Sequence, residues 1–158
     1  MSVDHRTNGL INIIRAKLLQ ETVRAAGDGE FEEIAFKIVR EHEERKTRIP
    51  GFGHAYFEKD PRSRSLLEIA DECISPHPHI DLLLAIEKQL SSGKVKPLAA
   101  NINGAIGAAI SDLGIDWEIG RGIFIISRSI GLVAHTVEEV KMGTRYKKIA
   151  PEEVEYVG

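Results

Sequence analysis

The stretch from about residue 117 to residue 141 limits the possible folds more than any other feature of the sequence. It contains no proline, and between residues 122 and 134 apolar side chains fall on nearly every face of a helix. The short apolar run Ile123–Ile126 has no decisive period by itself and is also compatible with a buried strand. No second strand candidate exists to pair with it, so we expect a long helix and an all-α fold.

Five further segments have apolar residues at helical spacing and lie between recognisable helix boundaries. Gly27 is a suitable end for the first of them. Asp60 and Pro61 are typical of a helix start, with the aspartate as N-cap and the proline in the first turn. The sequence therefore predicts helices at about residues 10–26, 30–47, 61–73, 80–90 and 99–113, within one domain over residues 1–158.

Composition and charge exclude several classes of protein. The net charge is −3, so no basic surplus is available to bind nucleic-acid phosphates. No apolar run approaches the roughly 20 residues of a membrane span, and the N-terminus lacks the apolar core of a signal peptide. The one cysteine, Cys73, cannot form an internal disulfide and suits a reducing compartment. We therefore expect a cytoplasmic protein with no nucleic-acid or membrane partner.

A group of histidines lies between the third and fourth predicted helices. His77 and His79 bracket Pro78 and precede Asp81, an arrangement that could form part of a metal site. Two histidines and one acid, without a distant third ligand of recognisable spacing, are weak grounds for zinc. The sequence favours a solvated loop here and predicts no metal.

His54 is the first candidate for a functional side chain. It follows Gly51-Phe52-Gly53, where two glycines allow the backbone to approach a ligand closely. Arg62 lies eight residues later, and its planar guanidinium suits a carboxylate or a phosphate. A loop histidine bonded to a backbone carbonyl explains the local pattern equally well, so both interpretations stay open.

Two other segments contain polar residues in apolar surroundings. Asn101 and Asn103 precede a run of small residues that lets another helix or a ligand approach closely, and helix capping is their simplest role. Arg128 lies inside the apolar stretch, where a buried guanidinium needs a fixed partner because an unpaired buried charge is costly. Its partner is either a structural acid or the anion of a ligand.

Several segments resemble, in the expected order, the C-terminal part of the citrate synthase and citryl-CoA lyase family. Arg48–His54, followed by Asp60-Pro61-Arg62, looks like the loop of the family's second catalytic histidine. Residues 100–106 resemble its Asn-Val-Asp-Gly segment, and residues 122–135 its late core helix. The closing residues 145–156 are similar to the C-terminal arm. The match is specific after residue 48 and faint before it.

This resemblance implies a citrate-synthase-like fold in which residues 10–113 form the small CoA-binding domain and residues 114–158 a core helix and arm. It implies carbon–carbon chemistry on acyl-CoA, as a lyase or an acyltransferase, with coenzyme A and a di- or tricarboxylate as ligands. His54 would hydrogen-bond the oxaloacetate carbonyl. The carboxylate-binding residues implied are Arg62, Arg128 and, as a weaker assignment, Arg145 or Lys147. The residues implied near CoA are Pro50, Gly51, Phe52, Gly53, Lys94 and Lys96.

Two departures from the family pattern limit these expectations. The catalytic aspartate falls on Asn103, whose amide cannot accept and return a proton at neutral pH. The family's first catalytic histidine and a set of N-terminal helices would lie before residue 1. We therefore expect a lyase or synthase component that is incomplete alone, with a second copy or a separate N-terminal-half chain as partner. A non-catalytic acyl-CoA-binding subunit or sensor, and a purely structural remnant, are the alternatives.

Overall fold

A computed structural model describes residues 7–27, 30–55, 58–93 and 97–143, except for the side chains of residues 7–15 and 121. These residues form six α-helices and contain no strand, so the prediction of an all-α fold is confirmed. Residues 123–126, which could have been a strand, are helical. The helices are α1 (Thr7–Ala26), α2 (Phe31–Glu44), α3 (Pro61–Cys73), α4 (Pro78–Ser91), α5 (Ile102–Asp112) and α6 (Gly120–Met142), with a short 3-10 helix at Trp117–Ile119.

The chain divides into two compact units, Met1–Arg121 and Gly122–Gly158. In the first unit, α4 packs against α1, α2 and α5, and α5 packs against α1, α3 and α4. The fully buried side chains of α4 are Ile80, Leu82, Leu83 and Ile86. Burial of each contributes about 1.5–3 kcal/mol, so α4 forms the centre of this unit's core.

Two helix starts in the first unit are fixed by side-chain caps. The Asp60 carboxylate accepts a hydrogen bond from the backbone N–H of Arg62 at 3.2 Å, and Pro61 opens α3. The Asn101 side chain accepts hydrogen bonds from the first turn of α5. Both capping predictions are confirmed. Gly27 follows α1 with φ +56°, a left-handed conformation that glycine adopts without strain.

The small residues of α5 allow α1 to approach closely. Gly104, Ala105, Gly107 and Ala108 are all buried. A Cβ atom built on Gly107 would lie 3.4 Å from the backbone nitrogen of Ala16, an ordinary van der Waals distance. The small-residue stretch therefore forms a helix–helix contact, as one of the two sequence interpretations proposed.

The solvated loop expected around His77 and His79 is shorter than predicted: residues 74–77 are non-helical, but His79 lies in α4, and both side chains are only partly exposed. α4 begins at Pro78, two residues before the predicted start, because a proline fits the first turn of a helix. The buried Asp112 carboxylate accepts hydrogen bonds from the backbone N–H groups of His79 and Ile80 at 2.9 and 3.0 Å. It also lies 2.7 Å from His79 Nδ1. A cap supplied by a distant residue leaves no local signal in the sequence.

His77 also has fixed partners. Its Nε2 atom lies 3.2 Å from Asp71 on α3, and its Nδ1 atom lies 3.2 Å from Asp81 on α4. Burial opposes the charged form, but the two carboxylates raise the pKa of His77 above its ordinary value, with Asp81 the stronger influence. His77 therefore links the end of α3 to the start of α4.

The second predicted helix also ends earlier than expected, at Glu44 instead of residue 47. Lys46 has φ +52°, a left-handed conformation that cannot continue a right-handed helix. No described helix is both long and apolar enough to cross a membrane.

In the second unit, α6 is a regular helix with a mostly apolar surface. Arg128 is exposed and its guanidinium lies 4.6 Å from the centre of the Phe124 ring, one turn earlier. The prediction that Arg128 is buried is wrong for this structure: the residue is exposed, and its guanidinium has the Phe124 ring as a neighbour in place of a buried anion. The exposed apolar side chains of the helix are Ile125, Ile126, Ile130, Leu132, Val133, Val137, Val140 and Met142.

Candidate ligand site

The loop before His54 is tied to the segment that leads into α5. The backbone N–H of Gly53 donates to the Ala99 carbonyl at 2.8 Å, and the N–H of Asn101 donates to the Gly51 carbonyl at 2.8 Å. The Asn101 side-chain amide donates to the Gly53 carbonyl, also at 2.8 Å. Gly51 and Gly53 have φ values of +99° and +74°, which a residue with a Cβ adopts only under strain. The glycines therefore set the path of this loop.

The same loop touches the first turn of α5 through its backbone. A Cβ atom built on Gly104 would lie 2.6 Å from the Gly51 carbonyl oxygen. A side chain at position 104 would therefore displace the loop. Gly104 is required here by a close approach of two backbones rather than by an unusual torsion angle.

Asp60 connects this region to Arg62. Its side chain is 1% exposed and accepts hydrogen bonds from Arg62 Nε and Nη2, each at 2.9 Å. Its second oxygen also accepts the backbone N–H of Ile102 at 3.0 Å. The hydrogen bonds from Arg62 outweigh burial and lower the pKa of Asp60 to about 2. The pKa of Arg62 is raised in turn, so the pair is ionised at neutral pH.

Arg62 is also adjacent to His54. Its Nη2 atom lies 3.4 Å from His54 Nε2. A guanidinium can only donate hydrogen bonds, so Nε2 is the acceptor and the proton of a neutral His54 ring lies on Nδ1. Asp60, Arg62 and His54 thus form a chain of contacts that starts at a buried carboxylate and ends at an exposed imidazole.

His54 lines a cavity of about 540 Å³. The cavity lies between α2, the loop, the end of α4 and the segment before α5. Its polar lining includes His42, whose Nδ1 atom is bonded to the Ile38 carbonyl at 2.9 Å, and Arg48. Its apolar lining is Val39, Ile49, Phe52, Leu90 and Leu98. A largely apolar cavity with a few polar groups at its edge is typical of small-molecule sites.

The structure brings some of the predicted site residues together. Phe52, Gly53 and His54 line the cavity, and Arg62 contacts His54. Asn103 lies in the first turn of α5, where its backbone N–H donates to Asn101 Oδ1 at 3.1 Å. Pro50 and Gly51 belong to the same loop but are not among the residues that line the cavity. The remaining predictions fall elsewhere: Arg128 lies in the second unit, and Lys94, Lys96, Arg145 and Lys147 lie outside the described residues.

Other parts of the site were not predicted. Asp60 was expected to cap α3, but its bonds to the Arg62 side chain and to Ile102 were not foreseen. The bond from Asp60 to Ile102 spans 42 positions, so no local pattern could indicate it. His42 and Leu98 were likewise not assigned to the site, since their place on the cavity wall depends on packing between helices. Within the described ranges, no cluster of three or more acids, histidines or cysteines could hold a metal ion.

Comparison with known families identifies the chain. Residues 9–151 match the model of the citrate synthase C-terminal domain. The chain belongs to the citrate synthase family. Citrate synthase of Haloferax volcanii is 31% identical over 105 residues, which is 64% of this chain and 27% of the relative. The family resemblance drawn from the sequence motifs is thereby confirmed.

Solved structures of the family have the same fold. Citryl-CoA lyase from Hydrogenobacter thermophilus superposes with a TM-score of 0.73 at 35% identity, covering 94% of this chain and 57% of the lyase. ATP citrate lyase from Methanothrix soehngenii, solved with citrate and coenzyme A, gives a TM-score of 0.64 at 22% identity over 93% of this chain and 26% of the lyase. The second likeness concerns the fold alone. This chain thus spans less than two thirds of each of these relatives.

Proposed function

We propose that the chain is a cytoplasmic component of citryl-CoA lyase or citrate synthase type that binds an acyl-CoA and a di- or tricarboxylate. The observation that supports this most directly is the Asp60–Arg62–His54 array beside the 540 Å³ cavity. The array offers a guanidinium of fixed orientation and an imidazole, and the cavity offers apolar walls. The family relative solved with citrate and coenzyme A binds both classes of ligand in the same fold.

Arg62 would attract a carboxylate of the substrate. Its guanidinium is held by a buried carboxylate at two nitrogens, so its orientation is set before a ligand arrives. A guanidinium fixed in this way loses little conformational entropy when it binds a carboxylate. Asp60 would therefore act as a positioning residue for Arg62.

His54 would stabilise charge at the carbonyl oxygen formed or consumed when the carbon–carbon bond is broken or made. In the tautomer set by Arg62, Nδ1 is the protonated nitrogen and can serve as a hydrogen-bond donor. A donor placed where negative charge develops lowers the barrier more than it stabilises the bound substrate.

The cavity would hold part of the acyl-CoA. The Phe52 ring and the neighbouring aliphatic side chains would contact the less polar portions of the molecule, and Arg48 lies at the same wall. Because Gly53 and His54 continue from Phe52, a ligand in the cavity would lie directly beside the proposed carboxylate site. We also assign Pro50, Gly51, Lys94 and Lys96 to this ligand as part of the proposal.

Proton transfer is the step that this chain is least equipped to perform. The neutral amide of Asn103 occupies the position where the family carries an aspartate, and the loss of general acid–base assistance typically costs about 10²–10⁴-fold in rate. We therefore propose ligand binding with little or no turnover by the chain alone. A sensor or binding subunit is the second candidate, and the amide at position 103 favours it.

The proposal includes a second polypeptide that covers the exposed apolar surface of α6. The apolar side chains of α6 are strongly exposed, with Ile130 at 77% and Ile126 at 69%. Patches of this kind are typical of surfaces that another protein covers. We infer that α6 is covered by a second copy of this chain or by a separate chain related to the family's N-terminal half. Arg128 and Arg145 remain carboxylate-binding candidates on the strength of the family resemblance.

Thermal unfolding with and without coenzyme A tests the proposal. Saturating ligand, at about 100 times Kd, should stabilise the parent chain by about 2.7 kcal/mol. Phe52→Ala should reduce this stabilisation because it removes a wall of the cavity. Phe36→Ala is the matched control, since Phe36 is 52% exposed on α2 and does not line the cavity. A parent chain whose unfolding temperature does not respond to coenzyme A or citrate would contradict the proposed function.

A further inference from the structure

Asn103 is followed by Gly104, and an asparagine–glycine dipeptide can undergo spontaneous deamidation. In an asparagine–glycine pair, the backbone nitrogen of the glycine attacks the side-chain amide carbon of the asparagine. Ammonia leaves, a five-membered succinimide forms, and water opens the ring to aspartate or isoaspartate. The net change is one water consumed and one ammonia released. Glycine favours the reaction because it has no side chain to hinder ring closure.

The fold restrains the attacking nitrogen. The backbone N–H of Gly104 donates to Asn101 Oδ1 at 3.3 Å, and the same oxygen accepts the N–H of Asn103 at 3.1 Å. Both residues also have helical backbone angles, which turn the Gly104 nitrogen away from the Asn103 side chain. Ring closure therefore requires the first turn of α5 to open and its N-cap to be released.

Packing adds a second restraint. Gly104 is buried, and its Cα lies against the Gly51 carbonyl so closely that an added Cβ would be 2.6 Å from the oxygen. Rotation of the Asn103–Gly104 peptide would break this contact between α5 and the loop. The contact also means that a bulkier residue at position 104 cannot remove the reactive dipeptide without displacing the loop. Gly104 is thus needed for the close contact with the loop, and it also makes Asn103 prone to deamidation.

We propose that Asn103 is a deamidation site that the capped first turn of α5 holds in its amide form. Opening of this turn allows spontaneous hydrolysis to a carboxylate at position 103. Only the catalytic meaning of that carboxylate rests on the proposed function, because the aspartate product, unlike the isoaspartate product, is the acid that the family motif carries. The protection itself follows from the hydrogen bonds and packing at Asn101, Gly51 and Gly104.

The chain contains an internal reference for the experiment. Asn8-Gly9 is the other asparagine–glycine pair in the sequence, and both pairs can be followed in one sample by peptide-resolved mass spectrometry. The parent chain is incubated at mildly alkaline pH, folded and in denaturant, and isoaspartate and aspartate products are separated by chromatography. We expect position 103 to convert roughly tenfold or more slowly in the folded chain than in denaturant, because only opened molecules react.

Two substitutions at the cap assign the cause. Asn101→Ala removes the acceptor of the Gly104 N–H and should raise the rate at position 103 in the folded protein above that of the parent. Asn101→Asp keeps a side-chain oxygen at the cap but loses the amide donor to the Gly53 carbonyl. Position 103 should stay protected in this variant, which would assign the protection to the cap oxygen and not to the bond with the loop. Asn103→Gln removes the labile pair, so conversion should then be seen at Asn8 alone.

Three outcomes would overturn the inference. The first is equal conversion of position 103 in the folded and denatured parent chain. The second is a folded Asn101→Ala variant that remains as protected as the parent. The third is a product that consists of isoaspartate alone.

If Asn101→Ala does not fold, a urea titration of the parent replaces it. The rate of deamidation at position 103 should rise as urea increases the population of opened molecules, and a rate that does not change with urea would contradict the proposal. None of these readouts involves coenzyme A, so they are independent of the ligand-binding test.

Discussion

The carboxylate of Asp60 accepts the backbone N–H of Ile102 at 3.0 Å, so the residue that caps α3 also fixes the start of α5. The same carboxylate holds Arg62 through two hydrogen bonds. One buried acid therefore sets the relative positions of the guanidinium, His54 and the turn that contains Asn103. This arrangement makes Asp60 the residue on which both the stability and the geometry of the site depend.

We predict that Asp60→Asn lowers the free energy of unfolding by about 2 kcal/mol at pH 7. The folded-state pKa of Asp60, about 2, lies below its ordinary value of 3.8. Its stabilisation is therefore present above the ordinary pKa and is lost as the pH falls toward 2. Urea unfolding at a series of pH values between 7 and about 2.5 measures this loss. The free energy of unfolding of the variant should fall less over this pH range than that of the parent.

The exposed pair Glu33–Lys37 supplies the control for Asp60. Both side chains are 65% exposed although their charged atoms lie 2.7 Å apart. Glu33→Gln should leave the free energy of unfolding essentially unchanged, because solvent screens such exposed pairs. Equal losses for Glu33→Gln and Asp60→Asn would contradict the assignment of a special role to Asp60.

The sequence predicted the features that depend on neighbouring residues. Apolar periodicity indicated six helices, and the short polar side chains of Asp60 and Asn101 indicated the start of two of them. The glycines at positions 51 and 53 indicated a loop with unusual torsion angles. Each of these signals acts within about one turn of chain, which is why they can be read without the fold.

The contacts that join distant segments could not be predicted in this way. Asp112 caps α4 from 33 residues away, and the sequence around His79 contains no trace of it. The exposure of Arg128 could not be foreseen either, because the apolar residues around it predicted burial. Family resemblance supplied roles for His54 and Arg62, but the buried acid that orients Arg62 became evident only from the structure.

A pair of glycine substitutions on α5 tests the backbone contact beside the site. Gly104→Ala should destabilise the chain by about 1–3 kcal/mol, because the new Cβ would lie 2.6 Å from the Gly51 carbonyl oxygen. Gly107→Ala, one turn later, should be neutral or stabilising by up to about 1 kcal/mol, since its Cβ has room and alanine favours helix. Thermal unfolding of both variants gives the comparison. A Gly104→Ala variant as stable as Gly107→Ala would show that the loop moves without cost.

His77 should give the chain a small pH dependence near neutrality. Its pKa is raised, so the stabilisation is complete below the unfolded value near 6.5 and is lost as the pH rises through the folded value. We expect the free energy of unfolding of the parent to fall by no more than about 1 kcal/mol between pH 5.5 and pH 8. The effect is small because Asp71 and Asp81 are partly exposed and solvent screens their interaction with His77. His77→Gln should remove this difference in unfolding free energy. A pH dependence that survives the substitution would rule out His77 as its source.

Restoring the family's carboxylate should leave binding intact and recover little activity. Asn103→Asp adds an acid in the first turn of α5, where a negative charge is also favoured by the helix dipole. Catalytic groups that act together are not additive, so one restored group should give much less than a full rate. Coenzyme A release from citryl-CoA, measured beside the thermal shift for the parent, Asn103→Asp and His54→Ala, tests this. Efficient turnover by Asn103→Asp alone would show that the chain already holds every other group it needs.

The apolar surface of α6 predicts that the chain is not a monomer in solution. Ile130 and Val133 are 77% and 64% exposed, and burial of such side chains contributes about 1.5–3 kcal/mol each. Sedimentation velocity at micromolar concentration should show a species larger than one chain. The double substitution Ile130→Glu and Val133→Glu should shift it toward the monomer, since burying two carboxylates in an apolar contact is costly. Phe36→Glu, on the exposed side of α2, should leave the sedimentation profile unchanged. A parent chain that sediments only as a monomer would contradict self-association and leave a separate partner chain as the cover for α6.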